Sequence, residues 1–567
     1  MNTNQTLRRP AALARVALAV LVAWMVAPVS HGQDQATFPE SHQALLGAAS
    51  YRALFGLNAH VVQAAAGSSD TGTGRPPRVG PNTRMNAPQL AFPLGLLGRS
   101  ETTIAAGGNG NFLVAGWNDA DGFCGAPFNA PCTPPAVPGL SGYAYSADGG
   151  QTWVDSGAPF VFGAAGYVTR GDPSLDVGGH GNETFYYANL AVTLTSSSPG
   201  TGGMTVHAGS YHADTFGFTR ATFINSPNAP DDFLDKELLA ADKRGGSDNV
   251  YVSVTNFAEV SGIPFFGFGQ IEVYRSADAA TTFSRSIVQP DETISVPLNT
   301  GIINQGSQPA VGPDGSVYVA WERGWLYPFF GQGAAGVAPQ IRVARSTDNG
   351  ATWAPAAAGP PSSGVNPAGV LVADICSGAL FSPAGYNRTE HNDFPRIAVA
   401  QSGRHRGRVY VTYQDCRLAN GGPQSVTGGF GHPNVDVYIS HSDNGGLTWS
   451  TPTLVAGGAP RQFWPTVSVQ PGGNVDVVYY DQAAGTSLVD VYWAQSLDGG
   501  ATFEAPVRVT SVSTDWAATA TNVIPNFGDY ITAVSAGNRL FATWADGRNG
   551  VPDSFFSKIL TIGRAPR

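Results

Sequence analysis

SADGGQTW, residues 146–153, is the first of a set of near copies whose reading decides the fold. STDNGATW follows at 346–353, SDNGGLTW at 442–449 and SLDGGATF at 496–503, with a degraded copy, SADAATTF, at 276–283. The residue types are those of a tight hairpin. The Asp accepts hydrogen bonds from the backbone of its own turn. The Gly two residues on takes a backbone angle that a Cβ resists, and the closing Trp or Phe buries a ring between layers. Asn444 replaces Asp in one copy and makes the same local bonds, so the box reads as a structural fitting rather than a repeated catalytic carboxylate. Ala280 replaces Gly in the degraded copy, which predicts a strained or reshaped turn there.

The sequence around each box alternates as pleated strands do. SQPAVGPDGSVYVAWE (307–322) and WPTVSVQPGGNVDVVYYD (464–481) each read as strand, turn, strand, with Val317, Val319 and Trp321 on one face. First strands begin near Thr102, Pro173, Leu238, Gln308, Pro395, Pro465 and Ile531, about 70 residues apart. GSYHADTFGFT (209–219) stands where an eroded box would fall. The last repeat, 528–559, has three strands and no box, and RMNAPQLAFP (84–93) is the segment expected to supply its fourth. The expectation is an all-β propeller of four-stranded blades, seven preferred and six the alternative.

The chain has 567 residues, with 71 Gly and 41 Pro, as suits many short strands joined by turns. A formal net charge of −10 argues against nucleic acid and against an anionic membrane surface. Arg8 and Arg9 followed by the apolar run 16–26 and small residues at Ser30 and Gly32 read as a signal peptide over 1–32. Residues 33–83 read as an N-terminal segment, with a short helix between about 34 and 66 and a flexible linker at 67–83; the propeller then takes 84–567. A secreted or periplasmic location makes disulfides the expectation for the four cysteines, Cys124 with Cys132 and Cys376 with Cys416. The spacings match no zinc motif.

One face of a propeller carries the loops that lead into first strands and out of second strands. Here those positions hold Arg170-Gly171-Asp172, Glu322-Arg323, Asp393 to Arg396, Asp415 with Arg417, Asp481, Asp529-Tyr530, and Asp546 with Arg548. Carboxylates and arginines converging on one mouth suit a carbohydrate or anion site. The alternative is that each simply caps a turn or pairs with a neighbour. DFLDKELLAADKRGGSD (232–248) holds several acids without the spacing of a calcium loop. His207 and His212 fall on opposite faces of a regular strand, against a joint metal site, while His391 with Glu390 and Asp393 would suit a lyase.

The boxes resemble Asp boxes, also called BNR repeats, and from about residue 84 to 559 the chain is similar to the sialidase superfamily of propellers. That resemblance implies that the boxes lie on the face opposite the active site. It implies Tyr530 as nucleophile, Glu322 as the group drawing its proton, and Asp172 as general acid/base. Arg323, Arg396, Arg417 and Arg548 become candidates for a carboxylate clamp, with Asp415 and Asp481 as further substrate-binding residues. The family's early Phe/Tyr-Arg-Ile-Pro motif is absent; DFPRIAV (393–399) has similar letters in another order and another blade. The functional expectation is an exported, sialidase-like glycan-active protein, a glycoside hydrolase acting on terminal sugars. The alternatives are a non-catalytic propeller binding glycans or proteins at the cell surface, or a polysaccharide lyase. No cofactor is called for, calcium at the acidic mouth stays open, and a monomer is expected.

Overall fold

The computed structural model describes residues 60–63, 78–89, 97–107, 110–120, 140–159, 167–179, 183–193, 203–226, 232–258, 269–293, 301–324, 339–357, 367–376, 383–388, 392–416, 435–458, 461–521 and 523–561. Second strands such as VYVAWER (Val317–Arg323) and VYVTYQD (Val409–Asp415) are buried along their whole length. Such strands need cover on both faces, and a ring of blades stacked face to face supplies it. Seven antiparallel blades do so here. Their innermost strands are Arg99–Gly107, Tyr167–Val177, Asp232–Ala241, Asn304–Val311, Arg396–Val399, Arg461–Val469 and Thr532–Ala536, and blades one to seven are numbered in that order. Each inner strand packs against the next around the ring, and that of blade seven packs against that of blade one.

Blade seven has three strands of its own, and the chain start closes it. Thr83–Arg84 pairs with Phe556 and Phe555 of the strand Asp553–Leu560. The pairing extends both ways: the Met85 amide donates to the Ser554 carbonyl at 2.8 Å, the Gly80 amide donates to the Lys558 carbonyl at 2.9 Å, and Val79 bridges Ile559. A Cβ on Gly80 would lie 2.7 Å from that carbonyl oxygen, so only glycine permits the approach. The closing strand therefore takes in the start of the expected segment 84–93, at Arg84 and Met85, and reaches back into the stretch read as a linker. A second departure lies at His60–Gln63, which forms a strand beside Thr152–Asp155 where the sequence reading extended a helix. Two adjacent valines favour the pleated form. The remainder of that expected helix lies outside the described residues, as does the Cys124–Cys132 pair.

All five boxes share one hydrogen-bond pattern. In the first, the Ser146 hydroxyl accepts from the amides of Asp148 and Gly150, and Asp148 Oδ1 accepts from the amides of Gln151 and Thr152. Thr152 donates its hydroxyl to Asp148 Oδ2 at 2.6 Å. Asn444 keeps the turn, accepting from the Thr448 amide and donating to the Thr448 hydroxyl. The aromatic of each box packs on the preceding blade: Trp153 meets Phe556 of blade seven edge-on, and Trp353 donates to the Ser286 hydroxyl of blade three. Since box hairpins join third to fourth strands, they lie on the face opposite the loops into first strands. In the degraded copy the bonds from Ala280, Thr281 and Thr282 persist, with Ala279 at φ 56° and Ala280 at φ 64°. The turn is strained rather than reshaped.

Cys376, just past the outer strand Val370–Asp374 of blade four, is disulfide-bonded to Cys416, just past Val409–Asp415 of blade five. The Cys376–Cys416 expectation is thus met, and the bond fastens two blades at the mouth face.

The strained turn yields a test. The residues in the place of Ala279 in the other copies are Gly149, Asn349, Gly445 and Gly499, all at positive φ. Ala279→Gly should raise stability by about 1 kcal/mol, the usual penalty for a left-handed residue with a Cβ. The check is the melting temperature, expected to rise by a few degrees.

Candidate functional site

Inner strands leave their regular ladders where they reach the mouth. Register shifts fall between Ser100 and Thr103, Gly171 and Ser174, Asp235 and Leu238, Gln305 and Gln308, and Phe463 and Thr466. The residue after the first position of each shift sits in the left-handed region: Glu101 (φ 51°), Asp172 (φ 54°), Lys236 (φ 54°), Gly306 (φ 66°) and Trp464 (φ 46°). Four of these carry a Cβ, so the strain is sustained by surrounding bonds, and such strain gathers at functional sites. Second-strand ends brace the bulges: Asn118 Oδ1 accepts from the Asp172 amide at 2.7 Å, and Gln414 Oε1 accepts from the Trp464 amide at 2.9 Å.

The bulges of blades one, two and three aim Glu101, Asp172 and Lys236 at one point. Lys236 Nζ lies 3.1 Å from Glu101 Oε1, 2.8 Å from Asp172 Oδ2 and 3.0 Å from Asp529 Oδ2 of blade seven. Burial alone would strip the lysine of its proton, but Asp172, Glu101 and Asp529 outweigh it and hold its pKa well above the ordinary value. Three carboxylates around one ammonium do not all stay ionised. Burial and the charge of Asp172 push Glu101 well above the ordinary carboxylate range. Burial also works against charge on Asp529, yet Arg388 at 3.3 Å, Lys236 and the Tyr386 hydroxyl at 2.6 Å hold it far below that range. The result is one carboxyl, Glu101, pushed toward its protonated form beside an ammonium and a second carboxylate, Asp529, held ionised. Asp235, buried and hydrogen-bonded by Gln305 Nε2 at 2.7 Å, is pushed up to about 6 chiefly by burial.

Glu101, Asp172, Asp235, Lys236 and Gln305 line a cavity of about 350 Å³ at the mouth, together with Arg170, Arg388, Asn392 and Phe394. No hydrogen bond or ion pair joins the Arg170 side chain to a described residue, and burial lowers its pKa. The arrangement offers proton donation, negative charge beside it, and cationic and amide donors for ligand hydroxyl or anionic groups.

The structure brings together three of the residues singled out from sequence: Asp172, Arg396 and Tyr530. Arg396 lies over the Tyr530 ring, 4.9 Å from its centroid, and burial lowers its pKa to about 10. Tyr530 donates its hydroxyl to the Pro173 carbonyl at 2.9 Å, and neither it nor Arg396 lines the cavity. Glu322 is fully buried, with no hydrogen-bond partner for either carboxyl oxygen among the described residues, and stands opposite Gln305 as Asn118 stands opposite Ser100. Arg323 is held bidentately by Glu292 (2.7 to 3.0 Å). Arg548 is forked onto Asp546, with its free edge on Asn82. Asp415 accepts from the Cys376 amide, and Asp481 accepts from Gln462 in a separate cavity between blades five and six. Arg417, Glu390 and His391 lie outside the described residues. His207 is buried and His212 exposed, on opposite faces of their strand. Calcium at the mouth would have to compete with the Lys236 ammonium for the same carboxylates.

Sequence reading missed Glu101, Lys236, Arg388, Tyr386 and the role of Asp529. A signal was present for the first two. Glu101, Asp172, Lys236, Gly306, Phe394, Trp464 and Tyr530 occupy corresponding positions at the start of the seven inner strands, so aligning the repeats on those starts would have exposed them.

No family model matches the chain, and no curated protein matches it. Solved structures do. An α-L-arabinanase of Penicillium chrysogenum aligns over 85% of this chain and 99% of its own, at 13% identity and TM-score 0.39. An α-L-arabinofuranosidase of Fusarium graminearum aligns over 84% and 96%, at 10% identity and TM-score 0.39. A sialidase of Trypanosoma rangeli aligns over 92% and 74%, at 13% identity and TM-score 0.36. These are likenesses of fold.

Glu322 makes the pH dependence testable. Burial, then the charge of Asp393, raises its pKa well above 4.5. A carboxyl that holds its proton more tightly folded than unfolded contributes stability that is complete below the unfolded pKa and lost as pH rises through the folded one. Glu322→Gln should therefore melt like the wild type near pH 4 and progressively higher than it toward about pH 8. Parallel melting curves at all pH values would show that this carboxyl is not titrating with the fold.

Proposed function

We propose that the protein is an exported glycoside hydrolase that cleaves a glycosidic bond at the propeller mouth. The observation that carries this is the pair of Glu101, buried, and Asp172, half-buried, on the single Lys236 ammonium, with the Glu101 carboxyl pushed toward its protonated form. Splitting the protonation of two adjacent carboxyls is how general acid and charge-stabilising roles are assigned. In this reading Glu101 gives its proton to the leaving glycosidic oxygen. Asp172 stabilises the positive charge that develops at the anomeric carbon, and water completes the hydrolysis. Arg170, Asn392 and Gln305 orient sugar hydroxyl groups. The disulfide supports the oxidising location that an exported chain meets.

A sialidase-type tyrosine nucleophile is the less favoured chemistry. Burial, more than any neighbouring charge, raises the Tyr530 pKa far above its ordinary value, and its hydroxyl is engaged by a backbone carbonyl. The second reading is a non-catalytic glycan binder, favoured by the completeness with which Lys236, Arg388 and Tyr386 neutralise the mouth carboxylates.

The test is fluorescence release from a panel of aryl glycosides that includes a sialoside and an arabinofuranoside. Glu101→Gln should lower kcat by about 100-fold or more, the usual contribution of general acid catalysis, while Tyr530→Phe stays within a few-fold. Activity should also fall as pH rises through the Glu101 pKa, because the acid form is then lost. Turnover abolished by Tyr530→Phe but kept by Glu101→Gln would transfer the chemistry to the tyrosine. Wild type that binds glycans yet releases nothing leaves the binder reading standing.

A further inference from the structure

Between the outer strand of blade five, Thr453–Ala456, and the second and third strands of blade six, Val475–Gln482 and Leu488–Ser496, lies a cavity of about 740 Å³ that shares no lining residue with the central one. Its wall holds two stacked tyrosines, Tyr479 and Tyr492, with ring centroids 6.2 Å apart and planes 16° from parallel. Tyr492 is half-buried. Tyr479 is 1% exposed, and its hydroxyl has no hydrogen-bond partner among the described residues although it lines the cavity. On the cavity wall, that hydroxyl is free to exchange hydrogen bonds with a ligand or water.

The acids beside the tyrosines differ in how far they are satisfied. Asp490 is used up: Arg508 donates to its Oδ1 at 2.6 Å, as does the Thr510 hydroxyl, and Ser513 donates to Oδ2. Asp481 receives only Gln462 Nε2, on Oδ2 at 3.0 Å, which leaves Oδ1 open to the cavity. A flat aromatic wall, a free carboxylate oxygen and a free phenol hydroxyl within one concave space match a sugar ring. Its C–H face would lie on the tyrosine, and its hydroxyls would donate to Asp481 and exchange bonds with Tyr479.

We propose that this inter-blade cavity is a second carbohydrate site, one that binds a neutral oligosaccharide without cleaving it. It stands independently of the chemistry at the central mouth. An uncharged ligand fits because no Lys, Arg or His is among the described residues that line the cavity, and Arg508 beside it is already committed to Asp490.

The experiment is titration calorimetry of the full-length protein with maltotriose, cellotriose, xylotriose and arabinotriose, with spermidine and a glucuronate trisaccharide as charged controls. At least one neutral trisaccharide should bind. Tyr492→Ala should weaken it tenfold or more, and Asp481→Asn should weaken it as well. Tyr492→Phe, which keeps the ring, should bind as the wild type does, and so should Asp172→Asn at the central mouth. Failure of every neutral trisaccharide to bind would overturn the proposal. So would binding lost in Asp172→Asn but kept in Tyr492→Ala. Spermidine bound in preference, and released by Asp481→Asn, would make the cavity a cation site and would likewise overturn it.

Discussion

A single ammonium group holds the mouth of this propeller together. Lys236 reaches from blade three to carboxylates of blades one, two and seven, so it spans the point at which the ring closes on itself. Glu101 and Asp529 are buried and Asp172 is half-buried, and a buried charge left without a partner destabilises by several kcal/mol. Removing the lysine would leave Glu101, Asp172 and Asp529 facing one another across the channel. The closing of blade seven by the chain start depends on the same region from outside: Asn86 and Gln89, just past the closing strand, both donate to Asp553. Backbone pairing at the rim and one ion cluster at the axis therefore secure the same seam.

The cluster exists because the backbone yields to it. A regular inner strand would send successive side chains toward alternate neighbouring blades, not along the channel. The bulge breaks that alternation, and its left-handed residue swings one side chain toward the axis. Where that residue is Glu101, Asp172 or Lys236, the strain is matched by an ion pair. Where it is Gly306, no strain arises, and a Cβ there would meet the Phe394 ring. Trp464 keeps the conformation by packing among Phe463, Tyr480 and Phe527 and by donating its indole N–H to the Asn392 carbonyl. One backbone device, repeated around the ring, is filled with charge on one side of the mouth and with aromatic bulk on the other.

How much of this was legible in the sequence follows from the range of each interaction. The boxes were legible because their bonds are local: Ser146, Asp148 and Thr152 satisfy one another within a few residues, and the same letters recur wherever the turn does. The seven strand starts and the Cys376–Cys416 bond followed from repetition and from cysteine number. The closing strand was placed slightly too far along the chain, since its register is set by Phe555, Phe556 and Lys558, which lie more than 450 residues away. The arginines were the hardest. Arg323 and Arg548 carry the right letters at the right strand ends, but Glu292 and Asp546 already occupy them. A guanidinium is informative about ligands only once its existing partners are known, and those are tertiary facts. Lys236 was hidden for the opposite reason, lying in an acid-rich stretch that draws attention to its carboxylates and lacks the spacing of a calcium loop.

The two faces of the ring divide the work along the same line. On the box face the polar groups bond within their own hairpins, and the box carboxylates are held by nearby threonine and backbone donors; for Asp278 this lowers the pKa to about 2. Such groups are saturated and have nothing left to offer a ligand. On the mouth face, polar groups bond across blades, and the count of donors and acceptors does not close: Glu101 is pushed toward its protonated form, and the Arg170 side chain has no ion-pair partner among the described residues. Local satisfaction builds a turn that can be copied five times and tolerates Asn444 for Asp. Incomplete, long-range satisfaction builds one place that cannot be copied, because its members come from several different blades. That asymmetry, more than any single residue, sets the mouth apart from the box face.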